Sequence, residues 1–379
     1  MDFAPGEEQT AIFDMARAFG ADHVAPHARD WERQGTIPRA LWSRAAELGM
    51  GGLYVSEEAG GTGLSRLDAT FVFEALAMSC PSVAAFLSIH NMCAAMIDRH
   101  GSAGMKDRFL PPVCAMETLL SYCLTEPGSG SDAAALATRA ERTTEGWRMT
   151  GTKAFISGGG YSGAYVVMAR TGGPGPKGIS AFLVEDGTPG LTFGALEDKM
   201  GWRAQPTRQL ILDGCTVTED ALLGETGRGF SYAMEGLDGG RLNIAACSLG
   251  GAQAALEATL SYMRERQAFG QSLAEFQALQ FRLAEMEIEL QAARTFLRQA
   301  AWMIDHRRPG ASTHAAMAKA FVTEAASRVA DGCLQLHGGY GYLADYGIEK
   351  IVRDLRVHRI LEGTNEIMRL ITARHLLDP

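Results

Sequence analysis

The sequence lacks the features of a secreted, membrane-spanning or zinc-binding protein. Its seven cysteines are odd in number and form no Cys-x-x-Cys pair, which argues against a disulfide framework and a structural zinc site. No run of about 18 apolar residues occurs. The N-terminal segment carries Glu7 and Glu8 where a signal peptide needs positive charge. We therefore expect no bound metal, no membrane insertion and a cytoplasmic protein, or one of the mitochondrial matrix if a transit peptide has been removed.

Basic residues are also scarce relative to acidic ones. The chain has 35 Lys and Arg against 44 Asp and Glu, so its formal net charge is −9. A nucleic-acid partner would need a local basic patch that overrides this charge, and the sequence contains none of the expected size. The remaining composition is that of a globular protein, with 46% hydrophobic and 21% charged residues. At about 150 residues per domain, 379 residues predict two or three domains.

The hydrophobic pattern divides the chain into three regions, which we place at residues 1–119, 120–225 and 226–379. The first region is helical, and residues 65–68 resemble a capping box that opens a helix. The second consists of short β-branched or aromatic runs without intervening helices, which predicts an antiparallel sheet or barrel. The runs lie at residues 120–125, 153–157, 165–169, 179–184 and 209–212.

The third region returns to a period of 3.6 residues. Apolar residues spaced three or four apart from Phe276 to Ile304 form one helical stripe, which stops at the breaker pair Pro309 and Gly310. Four long helices result, enough for a four-helix bundle. They lie at about residues 241–267, 276–304, 313–336 and 345–361.

Two glycine patterns match the dinucleotide-binding motif, but their context is wrong. Residues 158–163 lead into a strand where the pyrophosphate of a dinucleotide needs a helix N-terminus. Residues 128–133 follow a strand but lie in a region without crossover helices, which favours a turn. The sequence His337-Gly-Gly is similar to the oxyanion loop of lipases, yet the chain has no Gly-x-Ser-x-Gly motif, so a serine hydrolase using Ser162 is a weak alternative.

One carboxylate stands out near the C-terminus. Glu362 ends an apolar segment beside Gly363, so it is either a base in a partly dry pocket with a raised pKa or an exposed residue at a frayed helix end. The pattern alone does not choose between these two interpretations.

Five short motifs together resemble the acyl-CoA dehydrogenase family, in the family's order and through nearly the whole chain. They occupy residues 122–132 (YCLTEPGSGSD), 153–158 (KAFISG), 264–270 (RERQAFG), 335–339 (QLHGG) and 361–366 (LEGTNE). The resemblance implies an α-helical N-terminal domain, a middle antiparallel β domain and a C-terminal four-helix bundle. It also implies a homotetramer that holds FAD between the β domain, the bundle and a neighbouring subunit, with an electron-transfer flavoprotein as acceptor.

The resemblance also implies roles for individual residues. The flavin ring would be lined by Tyr122, Cys123, Leu124, Thr125, Gly130, Ser131, Phe155, Ile156 and Ser157. The adenine and pyrophosphate half would be held by Arg266, Phe276 and Gln277, with Gln335, Leu336, His337, Gly338 and Gly339 of a neighbouring subunit, and closed by Thr364, Asn365 and Glu366. The acyl-CoA would contact Ser131, Asp238, Gly239, Gly240, Arg241, Gly363 and Arg374.

Glu362 matches the family's catalytic base, which removes the proton α to the thioester while a hydride leaves the β carbon for the flavin. Some relatives place the base immediately before the arginine that matches Arg241, but here that position is Gly240. The pair Gly239 and Gly240 resembles the branch that oxidises isobutyryl-CoA to methacrylyl-CoA in valine breakdown, where missing side chains could make room for a methyl branch. Butyryl-CoA and 2-methylbutyryl-CoA are rival substrates. An acyl-CoA oxidase and an inactive acyl-CoA-binding protein are rival functions.

Overall fold

The computed structural model describes residues 4–377. The first region is helical, as the pattern predicts, and Ser65 caps the helix that begins at Arg66 by accepting a hydrogen bond from the Asp68 backbone N–H at 3.0 Å. Its helices are α1 (Glu7–His23), α2 (Ala28–Gln34), α3 (Arg39–Glu47), α4 (Arg66–Ser79), α5 (Pro81–His100) and α6 (Ala103–Cys114).

The middle region is a sheet in which β1 to β8 are joined without an intervening α-helix. Its path is β6-β7-β3-β2-β4-β5-β8, and β1 also pairs with β4. The strands are β1 (Leu120–Cys123), β2 (Arg139–Arg142), β3 (Gly146–Ser157), β4 (Ala164–Arg170), β5 (Ile179–Glu185), β6 (Leu191–Phe193), β7 (Thr207–Thr218) and β8 (Leu222–Leu223).

The sheet is mostly antiparallel, with two parallel pairs. Both β1 and β2 run parallel to β4, while the other recorded pairs are antiparallel. A parallel pair needs a long connection, and the segment from β1 to β4, which includes the antiparallel pair β2 and β3, provides it. The sheet thus has parallel pairs at β4 because the chain forms β2 and β3 before it returns to β4.

The third region begins with α7 (Gly229–Glu265), a helix of 37 residues and about 55 Å. It continues through a hairpin of β9 (Gln267–Ala268) and β10 (Gln271–Ser272) to α8 (Gln277–Asp305) and α9 (Ala311–His337). The helix predicted at 345–361 is wrong in its extent. Over that range the chain forms α10 (Ile348–Arg356) and a 3-10 turn (Val357–Arg359), and beyond it, after a bend, lies α11 (Asn365–Leu377).

The predicted stripe on α8 is buried from Met286 to Ala300. Met286, Leu290, Ala293, Leu297 and Ala300 are buried, whereas the first turns of the helix are only partly covered. These residues belong to one core that joins α1, α3, α4 and α5 to the bundle helices. A second core joins α5 and α6 to the sheet and to the first turns of α7. Helix α7 therefore packs against both of the other regions.

Residues 4–377 contain no helix long and apolar enough to cross a membrane.

Candidate active site

Glu362 lies in the bend between the 3-10 turn and α11, in a strained conformation. Its φ is +54°, in the left-handed region that non-glycine residues rarely adopt, and Gly363 follows at +91°. The carboxylate Oε2 is shielded from solvent and has no hydrogen-bond partner among the described residues. Burial raises the pKa of Glu362 to about 7, although Lys319 and Arg241 oppose the rise. Of the two interpretations of Glu362, the structure supports the dry pocket.

Gly240 lies directly against this carboxylate. A Cβ at Gly240 would overlap Glu362 Oε2 and come within 2.9 Å of Glu362 Cδ, so only glycine leaves the carboxyl in its place. A Cβ at the neighbouring Gly239 would lie 2.5 Å from Cζ of Arg66. A Cβ at either glycine would thus meet a side chain of the same molecule, and the room that the pair leaves for a methyl branch of the substrate stays a prediction.

Arg66 is a residue that the sequence analysis missed. Its guanidinium is buried and lies 3.8 Å from the centroid of the Tyr54 ring, a cation–π contact. The hydroxyl of Tyr54 donates to Asn243 Oδ1 at 2.6 Å, which fixes the ring. Sequence offers little signal for this role, because an arginine at the first position of a helix ordinarily faces solvent.

Several polar atoms near the base are buried without a partner among the described residues. They include the Tyr122 hydroxyl, Arg241 Nε, Asn243 Nδ2 and Arg66 Nη1, in addition to Glu362 Oε2. Folded proteins satisfy most buried polar atoms, so such a group indicates that a ligand or ordered water completes it. Among the predicted acyl-CoA contacts, Arg241 pairs with Asp238 at 2.5 Å, and Asp238 also accepts from Ser312 at 2.9 Å. Burial raises the pKa of Asp238, although Arg241 opposes the rise.

The predicted flavin-ring segment begins at β1 and continues through a tight turn. Glu126 and Ser129 exchange two backbone hydrogen bonds, so residues 128–133 open with the turn that the sequence favoured. The side chains of Cys123 and Ile156 lie in the core of the sheet, so any contact of these residues with a cofactor would be through their backbone. Leu124 is buried, Thr125 and Ser157 are half-buried, and Gly130 and Ser131 are exposed.

Phe155 is the most unusual residue on this surface. It lies within the register shift between Lys153 and Ile156, has φ of +58°, and is 70% exposed. An exposed aromatic ring on a strained backbone is costly unless something covers it. The position fits a planar ligand packed on the ring.

A second predicted group surrounds a cavity at the other end of the bundle. The cavity measures about 530 Å³, and its lining includes Arg266, Tyr262 and all of the predicted segment at 335–339. His337 stacks on Tyr262 with 4.4 Å between ring centroids, and its Nδ1 lies 2.8 Å from the Cys333 carbonyl oxygen. A Cβ at Gly338 or Gly339 would meet no atom within 4 Å, so this backbone is open to a ligand.

Phe276 and Gln277 lie at the start of α8, near the same end of the bundle. The tip of the adjacent β9–β10 hairpin carries Phe269, which is 97% exposed with φ of +53° and packs edge-on against Phe276 at 6.3 Å. Phe269 belongs to the motif at 264–270 but is not among the residues predicted to contact the cofactor. An aromatic residue at a hairpin tip was the signal that could have found it.

The two predicted groups do not come together within one chain. The 26 residues from Gly240 to Arg266 correspond to about 39 Å along α7. The base therefore lies about a third of the way along this helix, and the cavity near Arg266 lies beyond its C-terminal end. Arg266 shares its cavity with the segment at 335–339 within one chain, and the contribution of that segment to a neighbouring subunit's cofactor stays a prediction.

The remaining predicted residues flank Glu362. Thr364 Oγ1 accepts a hydrogen bond from the Ile367 N–H at 3.3 Å, and Asn365 is buried with its amide bonded to α9. Glu366 is exposed. Arg374 is also exposed, nine residues or about 14 Å along α11 from Asn365, and its contact with acyl-CoA stays a prediction.

The hydrolase alternative receives no support. Ser162 is buried, and its hydroxyl lies 2.7 Å from the Ser121 hydroxyl instead of near a histidine. Within residues 4–377, no cluster of three or more His, Cys, Asp or Glu side chains is arranged to hold a metal ion.

Comparison with known proteins agrees with this arrangement of elements. Models of the N-terminal, middle and C-terminal domains of acyl-CoA dehydrogenase match residues 6–117, 121–215 and 227–377. The chain belongs to the acyl-CoA dehydrogenase family. It is a flavin-dependent oxidoreductase with a helical N-terminal domain, a β middle domain and a helical C-terminal domain.

The chain is similar to members of known activity over nearly its full length. Isobutyryl-CoA dehydrogenase of Dictyostelium discoideum is 52% identical over 98% of this chain and 89% of that protein. The structure of butyryl-CoA dehydrogenase from Megasphaera elsdenii matches with a TM-score of 0.96 and 36% identity over the whole of both chains. A chain in the structure of the electron transferring flavoprotein of Acidaminococcus fermentans matches with a TM-score of 0.97 and 39% identity over the whole of both chains.

Proposed function

We propose that the protein oxidises isobutyryl-CoA to methacrylyl-CoA, in valine catabolism, with FAD as its cofactor. The observation that carries the reaction type is the buried, unpartnered carboxylate of Glu362 in a strained bend beside Gly240. The substrate is supported by the 52% identity to an isobutyryl-CoA dehydrogenase. Butyryl-CoA and 2-methylbutyryl-CoA are the alternatives, because one methyl group changes the free energy of binding by only ~1 to 3 kcal/mol.

Glu362 acts as the base that removes the proton α to the thioester. A carboxyl group with a pKa of about 7 is largely ionised slightly above neutral pH and binds a proton more strongly than an exposed glutamate. Its Oε2 has no competing hydrogen bond from residues 4–377, so the lone pair is available to the substrate. The bend also presents the Glu362 backbone N–H, which we assign to the thioester oxygen, where one donor is worth about 2.7 to 4 kcal/mol.

The residues present fit a flavin. Phe155 offers an exposed ring, and Tyr122 has a buried hydroxyl without a partner among the described residues. Arg266 offers a guanidinium for phosphate oxygens beside the open backbone of Gly338 and Gly339. When bound, the flavin accepts the hydride that leaves the β carbon. The protein residues hold the cofactor, exclude water and take the proton.

Because about 39 Å of helix separates the base from Arg266, we propose that one cofactor is held by two copies of the chain. One copy contributes Glu362, Phe155 and Tyr122, and a second contributes Arg266, Phe269 and the segment at 335–339. The predicted homotetramer allows this arrangement. In a symmetric contact between two copies, the Glu362 end of each copy meets the Arg266 end of the other.

We also propose an electron-transfer flavoprotein as the acceptor. The structural similarity to a chain associated with such a flavoprotein supports this partner. We propose the mitochondrial matrix as the compartment if the chain derives from a targeted precursor, since the relative from Dictyostelium discoideum is named mitochondrial. If it does not, we propose the cytoplasm.

An anaerobic titration of the flavin-loaded protein tests the proposal. Isobutyryl-CoA, butyryl-CoA and 2-methylbutyryl-CoA are added in turn, and bleaching of the oxidised flavin band is followed. We expect the fastest bleaching with isobutyryl-CoA. Preference for butyryl-CoA overturns the substrate, and absence of bleaching with all three indicates an acyl-CoA-binding protein without the chemistry.

Two variants separate the base from general carboxylate effects. Glu362→Gln should bind acyl-CoA and leave the flavin oxidised. Glu145→Gln is the control, because Glu145 is exposed between β2 and β3 and has no assigned role in the site. Full bleaching by Glu362→Gln excludes Glu362 as the base. Rapid reoxidation of the reduced flavin in air favours the acyl-CoA oxidase alternative.

A further inference from the structure

Lys319 is a fully buried lysine directly behind the bend that carries the base. It lies in the first half of α9 and is 0% exposed. Its Nζ donates to the Gly363 carbonyl oxygen at 2.8 Å and to Asn365 Oδ1 at 3.0 Å. Neither acceptor carries a charge. This lysine therefore anchors the backbone of Gly363 and the side chain of Asn365, which closely follow Glu362 in the chain.

The bend needs such support because its backbone is strained. A non-glycine residue in the left-handed region persists only where its surroundings fix it, at a cost of roughly 1 to 3 kcal/mol. Asn365 is fixed in turn by α9, since its Nδ2 donates to Thr323 Oγ1 at 3.0 Å and to Glu324 Oε1 at 3.0 Å. Helix α9 thus determines the position of the bend through Lys319, Thr323 and Glu324, which lie outside the five sequence motifs.

The ammonium also acts on the carboxyl through space. The charged and titratable groups that influence or respond to Glu362 are Lys319 from α9, Arg241 and Cys247 from α7, and Tyr122 from β1. Of the two cations, Lys319 opposes the effect of burial more strongly than Arg241 does. Burial lowers the pKa of Lys319 itself to about 8, while the negative charge of Glu362 counteracts this.

We propose that Lys319 is a positioning residue for the base: its ammonium anchors Gly363 and Asn365, keeps Glu362 in the left-handed conformation and supplies the charge that keeps the carboxyl ionised. The Asn365 side chain belongs to this anchor, in place of the flavin contact predicted for it. The inference rests on the proposed function only in taking Glu362 as the base.

Lys319→Met tests the proposal by removing the charge and the donor while keeping the apolar stem. The Glu362 carboxyl is titrated by difference infrared spectroscopy of the holoenzyme without acyl-CoA, with Glu362→Gln identifying its band. We expect the pKa of Glu362 to rise by about 1 unit or more. Flavin reduction at pH 7 should slow about fivefold for a rise of one unit, because the ionised fraction falls from about one half to about one eleventh, and it should recover at higher pH.

Lys199→Met is the matched control. Lys199 donates to the Gln205 carbonyl oxygen at 2.9 Å, its pKa is also lowered to about 8 by burial, and Glu362 is not among the groups that act on it. The control should leave the carboxyl titration and the pH profile unchanged. An unchanged or lowered pKa of Glu362 in Lys319→Met overturns the proposal.

Two further variants keep the test decisive if Lys319→Met does not fold. Lys319→Gln retains a donor without the charge and should still raise the pKa of Glu362. Asn365→Ala leaves the ammonium in place, so it should slow flavin reduction at every pH by misplacing the base, with no upward shift of that pKa. A normal rate in Asn365→Ala overturns the anchoring role. The infrared titration needs no turnover, so it decides the role of Lys319 even if no acyl-CoA bleaches the flavin.

Discussion

At the scale of single residues, the position of the base depends on an absent side chain. Gly240 leaves room for the Glu362 carboxyl, whereas sequence reasoning noted that this glycine is not itself a base and assigned its space to a methyl branch of the substrate. The motif at 361–366 was enough to select Glu362. It could not reveal Lys319, because a lysine in the middle of a helix ordinarily predicts an exposed face.

Gly240→Ala should displace the base. The added methyl group overlaps Glu362 Oε2, and a displacement of about 1 Å costs roughly 100-fold in rate. We expect this loss in the rate of flavin reduction, with unchanged flavin content. Gly236→Ala on the same helix is the control, because its Cβ would meet Met96 Sδ at an ordinary 3.4 Å. Equal rates for the two variants would contradict the assigned position of the carboxyl.

The buried carboxyl should also affect stability. The pKa of Glu362 is about 7 in the folded state against 4.5 when unperturbed, so between these values the folded state binds more protons than the unfolded state. The contribution of Glu362 to the free energy of unfolding therefore falls as pH rises through this window, by about 3 kcal/mol. Denaturant unfolding of the wild type and Glu362→Gln at pH 5 and pH 8 measures it. From pH 5 to pH 8, the free energy of unfolding of Glu362→Gln should rise relative to that of the wild type by roughly this amount. The same difference between the two proteins at both pH values would contradict the raised pKa.

At the scale of elements, long periodic segments were predicted well and short or interrupted ones were not. The apolar stripe identified α8 because it repeats over eight turns, as confirmed by its buried residues. Strands β2, β6 and β8 have two to four residues each, too few for a pattern. The predicted helix at 345–361 ends early because tertiary contacts override its apolar pattern. The Trp202 N–H donates to Asp354 Oδ1 at 2.6 Å, and Trp202 Nε1 donates to His358 Nε2 at 3.0 Å.

The pairing between β3 and the loop after β1 gives a prediction for the flavin-ring segment. Lys153 is 0% exposed and donates to Glu126 Oε1 at 2.7 Å and to the Leu124 carbonyl oxygen at 3.1 Å. Lys153→Met leaves the Glu126 carboxylate buried without its cation, which should lower the free energy of unfolding by about 3 to 5 kcal/mol. Denaturant unfolding checks this value. Lys177→Met, at an exposed lysine of the same domain, should change the free energy of unfolding little. An equally small change in Lys153→Met would contradict the stabilising role of the pair of Lys153 and Glu126.

At the scale of the whole molecule, α7 joins the three regions and separates the two halves of the proposed site. The order helical, β and helical was predictable, because each change of region is a change of period in the sequence. The exact limits at residues 119 and 225 stay a proposal. The separation of Glu362 from Arg266 was not predictable, since motif order says nothing about which ends of a helix its residues occupy.

Mixed assemblies test whether two copies share each site. Chains carrying Glu362→Gln and chains carrying Arg266→Ala are unfolded together, refolded with FAD and assayed for flavin reduction by isobutyryl-CoA. Each variant alone should be nearly inactive. Random pairing makes half of the pairs mixed, and one of the two sites in each mixed pair is intact, so we expect about one quarter of wild-type activity. Activity no higher than that of the separate variants would mean that each chain builds its own site.

The length of α7 predicts complementation between certain pairs of inactive alleles. Two alleles that each abolish activity should complement each other in one cell when their lesions lie at opposite ends of this helix, and fail to do so when both lie at the same end. A map of which allele pairs restore growth on valine would then trace the division of labour between subunits without any purified protein.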